Sequence, residues 1–179
     1  MIGDLRNVLI HERIEPHRYL AIPTRAIVER LEAILNRLTH PTLVVPTFQR
    51  NVEVFYITDS LADVLKKISE RDYSQFPVFD KIKFCGVLTE NGIVRWLAKH
   101  VSAELSLVEL EDISIDTVLM MEEKRQNHMF ISRKKSVDDV KELFVDYELL
   151  EAILITENGN SNEKLMGIVT RWDILGINK

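Results

Sequence analysis

The sequence predicts an α/β protein that contains two tandem copies of one β-α-β-β-α unit. The stretch GVLTENGI near the middle of the chain returns near its end as GIVTRWDI, and such a repeat is a strong indicator of fold. Upstream of these stretches, matched residues lie a constant 76 positions apart, as with Ser60 and Ser136 or Val78 and Leu154. The spacing grows to 81 at the closing stretches, and we place the five extra residues in the polar segment 158–162.

Each copy has the residue pattern of a strand, a helix, two strands and a closing helix. Ser60 and Ser136 are the expected N-caps of the first helices, because each has an Asp three residues later, much as in a capping box. Apolar residues recur at helical spacing after both serines. The remaining expected elements are strands over 54–57, 76–79, 129–132 and 153–156, and closing helices over about 91–100 and from 172 to the end.

An amphipathic helix precedes the first copy. Thr24 is its expected N-cap, and its apolar stripe runs as far as Leu38. A short helix over 115–121 begins after Ser114, and its counterpart in the first copy is the segment near Leu43. The predicted organisation is therefore an N-terminal helical extension over 1–42, a first copy over 43–105 and a second copy over 106–179.

Composition and charge exclude several classes of protein. A chain that is 46% hydrophobic and 28% charged is typical of a globular protein, and its net charge of −5 argues against binding to nucleic acid. The sequence contains neither an apolar run of membrane-spanning length nor a signal peptide, so we expect a cytoplasmic protein that does not bind membranes. The one cysteine, Cys85, is expected in a buried strand as an unreactive thiol.

The titratable residues show no pattern of an enzyme or a metal site. The five histidines have neither metal-ligand spacing nor a nucleophile beside them. We therefore expect no catalytic residue, no metal and no cofactor.

Both copies close on the pattern Gly-h-h-Thr-x-x-Asp, where h is hydrophobic. Gly167, Thr170 and Asp173 fit it fully, whereas the first copy has Gly92 where the Asp belongs. This arrangement resembles the CBS domain, and two tandem copies resemble a Bateman module, over residues 43–179. The resemblance implies a regulatory module without catalytic activity that binds adenosine-containing ligands such as AMP, ADP, ATP, S-adenosylmethionine or cyclic di-AMP.

The resemblance also implies a cleft in which the closing motif of one copy meets the early strands of the other. A carboxylate at the position of Asp173 can accept both hydrogens of a ribose 2′,3′-diol, and Thr170 can meet a sugar or phosphate oxygen. Glu53 stands where the family often has a small residue near adenine, which leaves open an altered base pocket or a register shifted by one. The predicted ligand-binding residues are Glu53, Val54, Tyr73, Ser74, Gln75, Ile168, Thr170, Arg171 and Asp173, beside the segment 49–54.

The mirror cleft is predicted to be degenerate. It would combine Thr89 and Gly92 with the segment 127–130 and with Leu149 and Leu150, the second of which the constant spacing matches to Ser74. Because the carboxylate and the serine hydroxyl are then missing, we expect one competent site per chain.

Several of these residues have a second interpretation. Asp173 is also suited to capping the closing helix, and Tyr73 to packing. Arg171 fits either a phosphate ligand or a solvated surface cation. Trp172 and Trp96 are expected in core or dimer contacts rather than against a ligand.

We expect a homodimer that signals to a partner protein which the sequence does not identify. AMP, ADP or ATP is the first choice of ligand, because a carboxylate placed for two hydroxyls needs a free diol. Cyclic di-AMP is the second, because the segment 72–77 and the Thr170-Arg171 pair resemble those of small CBS-pair proteins from Gram-positive bacteria. The third possibility is a constitutive scaffold with empty clefts.

Overall fold

The computed structural model describes residues 23–71, 73–100, 110–120 and 126–177. The chain divides into two units, Met1–Pro41 and Thr42–Lys179. In the first unit, helix α1 (Arg25–Thr39) follows Thr24, whose extended backbone (φ −67°, ψ 154°) is that of an N-cap. The predicted helix is therefore confirmed, and its apolar stripe is exposed on the surface of this unit.

The second unit contains two three-stranded sheets and the helices that cover them, which confirms the predicted tandem α/β units. Its elements in chain order are α2 (Val44–Thr47), β1 (Phe55–Tyr56), α3 (Leu61–Arg71), β2 (Gln75–Asp80), β3 (Lys83–Thr89), α4 (Glu90–His100), α5 (Ile115–Leu119), β4 (His128–Ser132), α6 (Val137–Asp146), β5 (Ala152–Thr156), β6 (Gly167–Thr170) and α7 (Arg171–Ile177).

The two sheets have the same topology. Their orders are β1-β2-β3 and β4-β5-β6, with the first pair parallel and the second antiparallel in each. The central strand β5 is buried along its whole length, as expected for a continuous apolar run between two neighbouring strands.

The serine caps hold the helices that follow the first strands. In α6 the Ser136 hydroxyl accepts the amide of Asp139 at 3.0 Å, and the Asp139 carboxylate accepts the amide of Ser136 at 2.9 Å, which completes a capping box. In α3 the Ser60 hydroxyl likewise accepts the amide of Asp63 at 3.1 Å. Both predicted caps are confirmed.

The strand register corrects the alignment of the two copies at one place. Val78 pairs with Gly86, and Ile155 pairs with Gly167. Since the two glycines are equivalent, Val78 matches Ile155, 77 positions later, and the predicted match with Leu154 is wrong by one. One extra residue therefore lies before β5, and four lie in the loop between β5 and β6.

Helix α5, which precedes the second copy, completes the core of the first. The amide of Ile115 donates to the carbonyl of Asp59 at 2.9 Å, and the amide of Leu61 donates to Ile113 at 2.8 Å. Ile115 and Val118 are fully buried among the side chains of the first copy. The first core therefore includes residues from beyond the end of its own repeat.

Helix α2, which precedes the first copy, completes the core of the second. Val44 donates to the carbonyl of Lys135 at 2.9 Å, and Val137 donates to that of Thr42 at 2.8 Å. Val44 is fully buried with the apolar residues of α6 and β5. The predicted ranges 43–105 and 106–179 stay a division of the sequence, because each hydrophobic core contains residues of both.

The two sheets meet through a third apolar cluster that includes Val87 of β3 and Leu154 of β5. Phe84 packs edge-on against Phe130, with ring centroids 4.9 Å apart. Cys85 is exposed, so the expectation of a buried thiol is wrong. Its position next to the interface does not bury it, because neighbouring strand residues face opposite sides.

Candidate functional site

A cleft of about 510 Å³ lies between the closing motif of the second copy and the strands of the first. Such clefts between packed units are common ligand sites. It is lined by Arg50, Asn51, Val52, Glu53, Arg71, Tyr73, Ser74, Gln75, Glu90, Ile168, Thr170, Trp172 and Asp173.

The segment before β1 reaches this cleft because it runs beside β6. Gln49 forms an antiparallel bridge with Gly167, and the amide of Arg50 donates to the carbonyl of Met166 at 3.1 Å. A Cβ atom at Gly167 would lie 2.3 Å from the carbonyl oxygen of Phe48. The glycine of the closing motif therefore permits a close backbone approach, and this approach brings Arg50 to the motif.

Thr170 and Asp173 sit at the junction of β6 and α7. Oδ2 of Asp173 accepts the backbone amide of Thr170 at 2.7 Å and its hydroxyl at 2.9 Å. The carboxylate therefore caps the helix, which is the second interpretation given above. It also lines the cleft, so the two roles coexist at one residue.

Arg50 forms an ion pair with the same carboxylate. Its two terminal nitrogens lie 3.1 Å from Oδ1 and 2.9 Å from Oδ2 of Asp173, a bidentate arrangement. One of these nitrogens also donates to the carbonyl of Ile168. The sequence placed Arg50 within the segment 49–54 but did not single it out, since no local pattern relates residues 123 positions apart.

The first copy supplies the other side of the cleft. The Ser74 hydroxyl donates to the side-chain oxygen of Gln75 at 2.8 Å, and the Ser74 carbonyl accepts the amide of Glu90 at 3.1 Å. Tyr73 is partly exposed beside them. The cleft therefore presents a phenol, a hydroxyl and an amide opposite Asp173.

Seven of the nine predicted ligand-binding residues line the cleft, and Val54 and Arg171 do not. Val52 lies there instead of Val54. The seven come from both copies, as the predicted pairing requires, and their role in binding stays a prediction.

Arg171 has a role that neither of its sequence interpretations anticipated. Its guanidinium donates to the backbone carbonyls of Phe144, Tyr147, Glu148 and Leu150 at 2.8 to 3.2 Å. Its central carbon also lies 5.3 Å from the centroid of the Phe144 ring. These carbonyls lie in the last turn of α6 and in the segment that follows it, so Arg171 stabilises the helix end and the turn after it. Arg171 is an exposed residue that does not line the cleft, and its part in ligand binding stays a prediction.

The two tryptophans differ in environment. Trp96 is buried in the first core, as expected. Trp172 is 77% exposed and lines the cleft, so a core position is wrong for it. It lies in the first turn of α7, a helix in which no residue is buried, so its apolar character does not indicate burial.

Charges in the cleft nearly balance. The lining includes the cations Arg50 and Arg71 and the acids Glu53, Glu90 and Asp173. The Glu53 carboxylate also lies 3.5 Å from the ammonium group of Lys67. The lining by itself therefore carries a formal charge of about −1.

The mirror position has its polar groups directed at its own backbone. The Thr89 hydroxyl accepts the amide of Gly92 at 3.0 Å, and Thr89 is 1% exposed. Leu150 is buried in the second core. The register of β2 and β5 begins at Gln75 and Ala152, so the predicted match of Leu150 with Ser74 stays a prediction.

His128 lies near this mirror position, at the contact between the copies. Its ring centroid is 4.9 Å from that of Phe84. Burial lowers the pKa of His128 because the charged imidazolium would lose its hydration. The neutral ring is therefore part of the packed interface.

No helix in the described ranges is long and apolar enough to cross a membrane. Within the same ranges, no group of three or more His, Cys, Asp or Glu side chains is arranged to hold a metal ion.

The closing motifs, the paired sheets and the cleft agree with a comparison against known families. The family model of the CBS domain matches residues 47–99 and 116–178. The chain belongs to the CBS domain family. No curated protein matches this CBS protein.

Solved structures of other CBS proteins have the same fold. The CBS domain of a membrane protein from Sphaerobacter thermophilus is 19% identical, with a TM-score of 0.60, and the match covers 85% of this chain and 97% of that one. CbpB in complex with c-di-AMP is 19% identical, with a TM-score of 0.55 and coverages of 87% and 93%. The CBS domain pair of protein MJ0100, in complex with 5-methylthioadenosine and S-adenosyl-L-methionine, is 19% identical, with a TM-score of 0.54 and coverages of 78% and 99%. The likeness of this CBS protein to all three concerns the fold.

Proposed function

We propose that this protein is a non-catalytic regulatory module that senses an adenine nucleotide in the cleft between its two CBS repeats. One observation carries the proposal: the Asp173 carboxylate and the Thr170 hydroxyl of the second repeat lie in one cleft with Tyr73, Ser74 and Gln75 of the first. The former pair suits a ribose, and the latter group offers an aromatic face and hydrogen-bonding groups for a base. CbpB and MJ0100, both of this fold, hold ligands that contain adenosine.

A ligand in this position would contact both repeats. It would therefore bind best at one relative orientation of the two sheets and shift the population toward that orientation. The contact between the sheets is an apolar cluster that includes Val87, Leu154 and Ile168. Because Ile168 belongs both to this cluster and to the cleft lining, it connects the ligand to the surface along which the repeats would move.

The charges favour few phosphates. The cleft lining contains two cations and three acids, so each added phosphate meets little net attraction. We therefore place AMP before ADP and ATP as the ligand. Arg50 and Arg71 are the lining cations that would meet its phosphate.

Cyclic di-AMP is the second candidate, favoured by the similarity in fold to CbpB. Its 3′-oxygens are esterified, so it offers no vicinal diol to Asp173. The partly exposed Tyr73 and the exposed Trp172 both line the cleft and provide two aromatic surfaces for a second base. A ligand of this kind would depend on those two side chains more than on Asp173.

We further propose that the module acts as a homodimer that signals to a partner protein. Helix α7 carries exposed apolar residues, among them Leu175 and Ile177, and such surfaces are commonly covered by a second copy. Leu175→Glu should shift the protein toward the monomer in sedimentation equilibrium. An unchanged mass would exclude α7 from the contact.

The decisive experiment identifies what the purified protein carries and then measures its affinity. Acid extraction followed by mass spectrometry should release an adenine nucleotide. Titration with AMP, ATP and cyclic di-AMP can be followed by fluorescence, because Trp172 lies in the cleft and Trp96 is buried. If none of the three ligands binds, the proposed nucleotide site is wrong and the protein is better explained as a constitutive scaffold with empty clefts.

Asp173→Asn and Asp139→Asn form a matched pair of variants. Both carboxylates accept a backbone amide at a helix N-terminus, but only Asp173 lines the cleft. Asp173→Asn should weaken AMP binding by about tenfold or more, which is the range for hydrogen bonds to a charged group. Asp139→Asn should leave the affinity unchanged, and an equal loss in both variants would contradict a direct role for Asp173.

A further inference from the structure

The Asp173 carboxylate has little hydrogen-bonding capacity left. Oδ2 accepts the amide and hydroxyl of Thr170 and one nitrogen of Arg50, and Oδ1 accepts the other nitrogen of Arg50. A carboxylate has about four lone-pair sites. A ribose diol brings two donors, so it cannot bind Asp173 through both hydroxyls without displacing one of these partners.

Arg50 is the partner that a ligand can displace. The bonds from Thr170 are part of the turn into α7 and link residues three positions apart. Arg50 comes from a separate segment, and its side chain is 40% exposed, against 23% for Asp173. Partial hydration makes this ion pair weaker than a buried one, whereas the backbone cap is local to the helix.

We propose that Arg50 makes the cleft selective for phosphorylated ligands by occupying Asp173 until a phosphate takes its place. This inference rests on the proposed adenine-nucleotide function and deepens it. A phosphate, like a carboxylate, can accept two parallel hydrogen bonds from the planar guanidinium group. When the phosphate of AMP binds Arg50, the carboxylate is released for the ribose diol, so phosphate recognition and diol recognition are coupled.

Adenosine is the ligand that reveals this coupling. It carries the diol but no group that can replace Asp173 at Arg50, so the diol must compete with the intact ion pair. The structure therefore assigns Arg50 two opposite effects: it strengthens the binding of AMP and weakens that of adenosine. An arginine that only attracted phosphate would leave adenosine unaffected, and one that only held the fold would affect both ligands alike.

The test measures the affinities of AMP and adenosine for the intact protein and for Arg50→Gln. We expect AMP to bind the variant about tenfold or more weakly and adenosine to bind it about threefold more tightly, the range for release of an exposed ion pair. Arg71→Gln is the matched control, because Arg71 also lines the cleft but forms no ion pair with Asp173. Arg71→Gln should lower the affinity for AMP without raising the affinity for adenosine.

A second measurement needs no variant. In the intact protein, AMP should bind much more tightly than 2′,3′-dideoxy-AMP, which lacks the diol. Adenosine should bind only slightly more tightly than 2′,3′-dideoxyadenosine, which also lacks it. Equal losses in the two pairs would show that phosphate and diol bind independently and would overturn the inference.

The outcomes separate this inference from the function on which it rests. If AMP binds but Arg50→Gln leaves adenosine unchanged or weaker, the coupling is wrong and the nucleotide site stands. If neither AMP nor adenosine binds the intact protein, the proposed function fails and the coupling fails with it.

Discussion

The substitution Gly167→Ala tests the close approach on which the cleft depends. A Cβ atom there would lie 2.3 Å from the Phe48 carbonyl oxygen and 3.2 Å from its carbonyl carbon. Backbone atoms cannot turn aside as a side chain can, so the strand pair formed by Gln49 and Gly167 would have to open. We therefore expect the segment that carries Arg50 to move away from β6.

The expected cost is about 2 to 4 kcal/mol of the free energy of unfolding. About 1 to 3 kcal/mol comes from forcing an extra methyl group into a packed site. A further contribution of about 1 kcal/mol comes from the hydrogen bond between the Arg50 amide and the Met166 carbonyl, which the displacement would break.

Gly86→Ala is the matched control, because Gly86 occupies the equivalent position in the first repeat. There the added Cβ would meet a methyl carbon of Leu119 at 3.3 Å. A leucine side chain can shift by a few tenths of an ångström, so we expect a cost below about 1.5 kcal/mol. The effect of alanine on the unfolded chain is common to both variants and cancels in the comparison.

Urea denaturation followed by circular dichroism measures both variants. Gly167→Ala should unfold at a lower urea concentration than Gly86→Ala, while the slope of the free energy of unfolding against urea concentration stays the same. Its affinity for AMP should also fall, because Arg50 has moved. Equal midpoints, or a more stable Gly167→Ala, would refute the argument that the glycine is required by the Phe48 carbonyl.

Three further predictions concern residues outside the cleft. Arg171→Gln should lower the free energy of unfolding by about 2 kcal/mol, because four carbonyls lose a charged donor, and calorimetric titration should show unchanged AMP affinity. Ser136→Ala should cost about 1 kcal/mol in thermal unfolding through loss of the capping box, and no cost would show that the box is dispensable. Burial lowers the pKa of His128 from its ordinary value of 6.5, so the unfolded chain binds that proton more readily and the free energy of unfolding should fall as the pH drops below about 6.5. His128→Gln should reduce this pH dependence in denaturation series, whereas an unchanged slope would exclude His128 as its source.

Local signals sufficed for the repeated units and for most of the cleft lining. Ser60 and Ser136 were recognisable as caps because the capping partner lies three residues away in the sequence. Thr170 and Asp173 were recognisable because their spacing is fixed by one strand-to-helix turn. In each case the interaction partners are close in the chain.

The features that escaped prediction depend on contacts between distant residues. Arg50 looks like any surface arginine until the backbone of its segment is placed beside Gly167. Arg171 precedes a motif residue, yet its partners are backbone carbonyls, which no side-chain pattern encodes. The one-residue shift at Ile155 was hidden because several apolar residues in succession align equally well in two registers.

The crossed placement of α2 and α5 has a consequence for the order in which the protein can mature on the ribosome. The core of the first sheet is incomplete until Val118 has been synthesised. Val44 is synthesised early, but the second sheet, against which it packs, is completed almost at the end of the chain. We therefore expect the nascent chain to gain protection from proteases in two steps, for the first repeat only after α5 has emerged and for the second only near the end of synthesis.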